Sequence, residues 1–299
     1  MIKSIKPVAF ALLLLATVFG ACKKEYETIQ AQDAKEIQAY ISKNNLQVQQ
    51  YNQTGLYYQI LQPGTGADLE NSDKVYMTFT LKTLDGSYNS TDENLNQYTS
   101  FVGYLDPAEK QFNFPKAFHI AVKDLLKKRG GSIRVIIPSN LAFGRTGSGK
   151  IPGNASLDCV IKVSTATNNA DFEEQFVSKY IQSSNLTGFT RLPSGVYYKI
   201  ATVGTGKSIA NTESLVKVTY TGLLTNGTKF DSRDSKDPLS SPLNALIAGW
   251  QVGLPLIKEG GSIRLIIPPS QGYGAASTAN IPANSVLDFD IQLLQVTNY

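Results

Sequence analysis

Histidine occurs once in these 299 residues, at His119, and cysteine twice, at Cys22 and Cys159; beyond Cys159 neither type appears again. The second half of the chain can therefore build no zinc site from the usual ligand types and no Ser–His–Asp or Cys–His pair. No metal and no cofactor is expected. With Cys22 in an N-terminal leader, Cys159 is the sole remaining thiol, so no intrachain disulfide is expected and Cys159 reads as a small apolar residue on a strand. An excess of charge is also lacking: 28 Lys and Arg face 24 Asp and Glu, and two of the lysines, Lys3 and Lys6, lie in the leader. Nothing in that balance makes a nucleic-acid surface, which needs basic residues clustered on one face. The leader's apolar run, from Val8 to Phe19, is short for a membrane span and right for a signal peptide. What is present is ample apolar material, 42% hydrophobic and 10% aromatic. A chain of this length and composition can bury two ordinary cores.

The small residues Gly20 and Ala21 before Cys22 resemble the lipobox of bacterial lipoproteins, in which that cysteine is lipidated and becomes the first residue. A plain secretory signal cleaved nearby is the alternative. On either reading the location is the bacterial cell envelope; the lipobox adds a lipid anchor at Cys22 to the outer membrane or on the periplasmic side.

The chain is written twice. Asp33 to Ile60 lines up with Glu173 to Ile200, "IQAYISKNNL" against "VSKYIQSSNL" and "GLYYQI" against "GVYYKI". Further on, "GGSIRVIIPSNLAFG" from Gly130 pairs with "GGSIRLIIPPSQGYG" from Gly260. The resulting division is a signal peptide at 1–21, a linker at 22–32, a first unit at 33–168 and a second at 169–299.

Each unit opens with a helical pattern. Asp171 with Glu174, and Asp33 with Glu36, have the spacing of capping boxes, ahead of Phe172, Phe176, Tyr180 and of Ile37, Tyr40, Ile41. Strand patterns follow, among them "LVKVTYTGLL", where Val216, Val218 and Tyr220 alternate with polar or small residues. Asn226-Gly227 and Asp85-Gly86 are hairpin turns. A short helix is expected over about Ala248 to Ile257, and a better one in "AFHIAVKDLLKKRGG", stopped at Gly130. The fold class is α+β: antiparallel sheet around one short helix, twice, each with a helical extension at its N-terminus.

In the second unit "VTYTGLLTNGTKFDSR", "PLNALIAGWQVG", "GGSIRLIIP", "GYG" and "IPANSVLDFDIQL" resemble, in order and spacing, the signatures of the FKBP-type peptidyl-prolyl isomerases. The resemblance implies two tandem FKBP-like domains and isomerisation of X-Pro bonds in exported or envelope proteins. It implies a proline pocket of Tyr220, Phe230, Leu246, Ile247, Trp250 and Phe289, with Trp250 as its floor. Asp231 and Tyr273 would form the polar rim, and the backbone N–H of Ile281 a donor to substrate. Partners would be proline-containing polypeptides and macrolide-type ligands. Ser241 stands where bacterial members often carry Phe before "PLN", so one aromatic wall is missing.

The same alignment matches Tyr220 with Phe79, Phe230 with Asn89, Asp231 with Ser90, Trp250 with Ile120, Tyr273 with Phe143 and Phe289 with Cys159. The first unit thus keeps backbone-determining residues such as Gly86, Gly130 and Gly144 and loses the pocket. A longer segment within Thr91 to Phe114 replaces the loop beside it. This reads as a non-catalytic module, and His119 as a helix residue rather than a catalyst.

Rival readings remain for single residues. Asp231 could cap a turn or pair with Arg233, and the apolar residues could be plain core. "ATVGTGKS", Ala201 to Ser208, fits a permissive phosphate-binding loop, but such a loop must open a helix and strand pattern resumes at Leu215. A non-catalytic proline-binding scaffold or envelope chaperone is the alternative to an isomerase.

Overall fold

The computed structural model describes residues 27–93, 96–105 and 114–299. The leader and Cys22 lie outside them.

The first unit runs α1 (Ile29–Lys43), β1 (Gln49–Gln50), β2 (Tyr57–Gln62), β3 (Lys74–Thr83), β4 (Asn89–Ser90) and β5 (Gln97–Phe101). It continues with a short helix α2 (Ala117–His119) that passes into a π-helix (Ile120–Leu126), then β6 (Ser132–Ile137) and β7 (Leu157–Val163). The second unit repeats this as α3 (Asn169–Ser183), β8 (Thr190–Arg191), β9 (Tyr197–Thr202), β10 (Leu215–Leu224), β11 (Lys229–Arg233) and β12 (Leu239–Pro242). It ends with α4 (Ala248–Gly253), β13 (Ser262–Ile267) and β14 (Leu287–Thr297). The sheets have one topology, β1-β2-β6-β7-β3-β4 with β5 on β3, and β8-β9-β13-β14-β10-β11 with β12 on β10. Every pairing of named strands is antiparallel.

Alternation decides which face is inside. On β10, Val216, Val218 and Tyr220 are buried while Lys217 is exposed. The helix that fills the concave face comes very close to the sheet, because its sheet-facing residues have no side chain. A Cβ on Gly249 would lie 2.6 Å from Ile267 Cγ2, and one on Gly253 2.6 Å from Leu265 Cδ1. Four residues apart, these glycines share one helix face, and they hold the intervening Trp250 at the core.

Several expectations from sequence are corrected. Neither capping box forms. Thr28 caps α1 by accepting from Ala31 N, and Asn168 caps α3 by accepting from Asp171 N. Helix α1 thus starts within the stretch read as linker. Asp33 and Glu174 have other partners: Asp33 is buried against Ser139 and Ser156, and Glu174 takes Arg191 and Tyr197. The helix expected after Phe114 becomes a π-helix stopped by Lys127 at φ 65°, before Gly130 is reached. The long segment after Thr91 holds strand β5, the counterpart of β12, rather than loop alone. One rejection holds: no helix opens after Ser208, whose backbone bridges to Lys258, so this stretch is a turn between strands and not a phosphate-binding loop.

Helix α3 lies between the units. Tyr76, flanked on β3 by core-facing Val75 and Met77, points away from the first core and joins Ala166, Phe172 and Phe176 in a buried cluster. Val177 packs on the second sheet against Ile266 and Val286.

Candidate functional site

Four aromatic rings converge on the concave face of the second sheet. Phe289 of β14 sits at their centre, edge-on to Trp250 (centroids 5.1 Å, 86°) and Phe230 (5.4 Å, 90°), with Tyr220 at 6.0 Å. Tyr220 also meets Trp250 edge-on at 5.1 Å. Such perpendicular packing suits rings with negative faces and positive edges.

Two backbone features make the arrangement possible. Gly222 is opposite Phe289 in the β10–β14 pairing. A Cβ there would fall 2.6 Å from Phe230 Cζ and 2.9 Å from Phe289 Cε1, so glycine leaves the space both rings use. The β10–β11 register also slips: Gly222 faces Asp231 and Leu223 faces Lys229, leaving Phe230 unpaired. Consecutive strand residues normally face opposite sides, and this bulge re-aims them. Phe230 enters the aromatic cluster while Asp231 meets the Tyr220 hydroxyl. The hairpin closes at Gly227, whose φ of 83° glycine tolerates.

Tyr220 Oη donates to Asp231 Oδ2 at 2.5 Å, and Asp231 Oδ1 accepts from Ser232 N at 2.8 Å. Arg233 does not take up Asp231; it pairs with Asp237. Burial, reinforced by the bond to Asp231 and its charge, pushes the Tyr220 phenol up to about 12. The phenol is therefore a fixed donor at neutral pH. Tyr273 is exposed at the mouth, and burial of its hydroxyl together with the charge of Asp231 raises its pKa. The Trp250 indole N–H is buried with no acceptor among the described residues. A buried donor in that state costs about 1–3 kcal/mol, which favours a ligand that supplies an acceptor.

The remaining expected residues gather around the rings with less exact roles. Leu246 and Ile247, partly buried, lead into α4 and pack on the same core. Ile281 is buried, and its N–H donates to Thr278 Oγ1 at 3.1 Å, so a substrate carbonyl would have to displace that hydroxyl. Ser241 is opposite Val216 and thus on the core face, and its hydroxyl turns back to the Pro242 carbonyl.

The first unit fills the same place differently. Its register sets Leu81 opposite Cys159, where the second unit has Gly222 and Phe289. A large and a very small residue have changed sides. Phe79 meets Phe118 edge-on at 5.5 Å, the contact Tyr220 makes with Trp250. By contact, therefore, Phe118 rather than Ile120 takes the tryptophan's place, the π-helix having shifted the register. Phe114 closes over the cluster, 5.5 Å from Phe79, 4.9 Å from Phe118 and 4.2 Å from Tyr98. Ser90, at the position of Asp231, is bonded to Asn96. Burial pushes the Cys159 thiol well up, which keeps it protonated.

Sequence reasoning missed the polar ties beneath the site. Asp288, one residue before Phe289, accepts from Arg264 Nε (2.9 Å), Arg264 Nη2 (2.6 Å) and Tyr180 Oη of α3 (2.6 Å). Asp158, Arg134 and Tyr40 repeat this in the first unit. The signal was available, since all three residue types recur in both copies. Gly222, inside a strand pattern, was a second overlooked sign of close approach.

The sequence profile of the FKBP-type peptidyl-prolyl cis-trans isomerase family matches residues 66–164 and again 206–294. The chain belongs to this family, and both of its units carry the match. Relatives include the FKBP-type peptidyl-prolyl cis-trans isomerase FkpA of Buchnera aphidicola subsp. Schizaphis graminum, 45% identical over 116 residues (38% of this chain and 46% of that protein). FkpA of Escherichia coli K12 is 41% identical over 104 residues, 34% of this chain and 38% of its own. The crystal structure of Escherichia coli FkpA aligns at a TM-score of 0.39 and 36% identity, over 43% of this chain and 61% of that one. The chain thus spans less than half the length of these two curated relatives.

Proposed function

We propose that the second unit is a peptidyl-prolyl cis-trans isomerase acting on proline-containing polypeptides, and that the first unit is a non-catalytic companion. The observation that carries this is the aromatic box of Tyr220, Phe230, Trp250 and Phe289, with a Tyr220–Asp231 pair at its rim.

Such a box suits the reaction. Rotation about an X-Pro bond meets a barrier of about 18–20 kcal/mol and takes tens to hundreds of seconds unaided. A rise of about 10⁴ in rate asks for only ~5.5 kcal/mol of transition-state stabilisation. No nucleophile is needed. The planar imide is the more polar form, so taking it out of water among aromatic walls disfavours it relative to the twisted form. In this reading Trp250 is the floor under the pyrrolidine ring, with Leu246 and Ile247 beside it. Asp231 and Tyr273 hold the carbonyl dipoles at the rim, and the Ile281 N–H becomes a donor once Thr278 releases it. Macrolide-type ligands would enter the same box. In the same reading the small Ser241, where the resemblance leads one to expect an aromatic, makes room for a bulky residue before the proline.

The first unit supports no such chemistry, because Phe114, Phe118 and Tyr98 close over its equivalent face. We further assign the protein to the bacterial envelope, anchored through a lipid on Cys22. Among the described residues no helix is long and apolar enough to cross a membrane.

The test is isomerisation of a short X-Pro peptide by the full chain. Turnover above buffer, lost in Trp250→Ala and lowered in Asp231→Ala, is the expected result. A rate equal to buffer, with peptide still quenching Trp250 fluorescence, would replace the enzyme by a proline-binding scaffold.

A further inference from the structure

Tyr273 sits on a loop with little apolar anchorage of its own. The ring is 41% exposed, and residues 275 to 280 are exposed as well. Polar ties must therefore decide where the loop lies, and these lead away from the site.

At the start of the loop, Ser270 lies in the 3₁₀ turn Pro269–Gln271. Its N–H and hydroxyl both donate to Glu173 of α3, at 3.1 and 2.5 Å. Asn169 Nδ2 donates to the same carboxylate at 2.9 Å, and Glu173 is buried. From that turn the Pro269 carbonyl accepts from Gly274 N at 2.8 Å, directly after Tyr273. On the other side, Asn284 N donates to the Gly274 carbonyl at 2.8 Å, and the Asn284 carbonyl accepts from Gln97 Nε2 of β5 at 3.4 Å. Phe172, the residue before Glu173, is packed on Tyr76 of the first unit with centroids 5.5 Å apart.

We propose that Glu173 is a positioning residue for the Tyr273 loop, and that the first unit, closed at its own site, sets the second unit's site through α3 and Gln97. This rests on the reading that Tyr273 belongs to a prolyl site. A buried carboxylate with two donors from one residue fixes that residue in distance and direction. Its removal leaves the Ser270 N–H and hydroxyl without a partner, and the loop must move to find water. Helix α3 can act as the bracket because Phe172 and Glu173 face different units from adjacent positions. The first copy repeats the device with a shorter acid, Asp33 accepting from Ser139 N at 3.0 Å and Ser139 Oγ at 2.8 Å.

The experiment uses the full chain and two readouts, amide hydrogen exchange at Gly272, Gly274 and Ala276, and kcat and KM for an X-Pro peptide. Glu173→Ala is expected to speed exchange at these amides about tenfold and to raise KM about as much, with kcat changed less. Glu173→Asp restores part of the protection, since the carboxylate is kept. Gln97→Ala, at a residue outside both core clusters, shifts the same amides in the same direction by less. Unchanged protection in Glu173→Ala overturns the proposal, as does a loss spread evenly over α3 and β13, which a merely structural role would give. Because exchange needs no turnover, an inactive wild-type chain would remove the isomerase reading while exchange still decides this one.

Discussion

Exchanging the core pair between units gives the sharpest test of how the site is built. Gly222 and Phe289 of the second unit correspond in register to Leu81 and Cys159 of the first. Consider Gly222→Leu, Phe289→Cys and the two combined. Alone, Gly222→Leu drives a side chain into Phe230 and Phe289, whose ring atoms lie within 3 Å of the new Cβ. Overpacking of this kind costs about 1–3 kcal/mol, and the strand is paired on both sides, which points to the upper end. Alone, Phe289→Cys removes the ring that three others contact, at about 3–4 kcal/mol by analogy with Phe→Ala. Independent effects would sum to roughly 4–7 kcal/mol. In the double variant the leucine enters the volume the phenylalanine left, so a coupling of about 1–3 kcal/mol should return. The double variant is thus expected to be no less stable than Phe289→Cys alone. Urea unfolding followed by Trp250 fluorescence is the assay, because the only tryptophan reports on the second unit alone. Isomerase activity should be absent in the double variant even though it folds. A double variant at the sum of the singles, or beyond it, refutes the volume exchange between the two cores.

Two further outcomes follow from the electrostatics. The Tyr220 phenol is raised from 10.0 to about 12 in the folded chain, so the folded state holds this proton more tightly than the unfolded state. The stability it contributes is complete below about pH 10 and is lost as pH climbs through 12. A tyrosinate absorbance titration, read as wild type minus Tyr220→Phe, should move toward 10 in Asp231→Asn without reaching it, since burial is the larger cause; coincident curves would clear Asp231 of any part. Separately, Asp288→Ala strips the partners from Arg264 and Tyr180 next to the site. Breaking a buried pair costs about 3–5 kcal/mol, the partly exposed Arg264 favouring the lower figure; a change under about 1 kcal/mol in the same urea assay would contradict the pairing.

What could be read from the chain in advance was whatever local pattern determines. Period-two alternation gave β10 and β14, Asn226-Gly227 gave the hairpin, and the internal copy gave two units of one topology. The aromatic box was legible only through the family resemblance, which carried Tyr220, Phe230, Trp250 and Phe289 over together; singly each reads as plain core. Other features depend on partners far away in sequence. Asp33 and Glu174 carry a capping pattern, yet Thr28 and Asn168 lie better placed upstream, and distant serines, Arg191 and Tyr197 claim the acids. The π-helix of the first unit absorbs its altered register, and no periodicity argument would distinguish it from α-helix. Glu173 reads as an ordinary surface residue of an amphipathic helix until the fold brings Ser270 beneath it.

The two copies also show which parts of the second unit are held against their own stability. The docking of each N-terminal helix is the same in both: Tyr40–Asp158–Arg134 and Tyr180–Asp288–Arg264, Asp33–Ser139 and Glu173–Ser270. The differences fall on residues that cost the second unit something. Glycine in a strand interior, as at Gly222, weakens it; the first unit has Leu81. Trp250 keeps a buried N–H without an acceptor among the described residues; Phe118 has no such N–H to satisfy. Asp231 is an exposed carboxylate shared with a buried phenol; Ser90 is tied to Asn96. In each case the first unit holds the locally more comfortable solution. On the assignment proposed above, a core that binds no ligand is free to settle into satisfied, filled packing, whereas one that must stay open keeps its unpaired donor and its missing side chain. On that assignment the missing side chain at Gly222 and the Trp250 N–H fit an entering apolar ring that carries an acceptor.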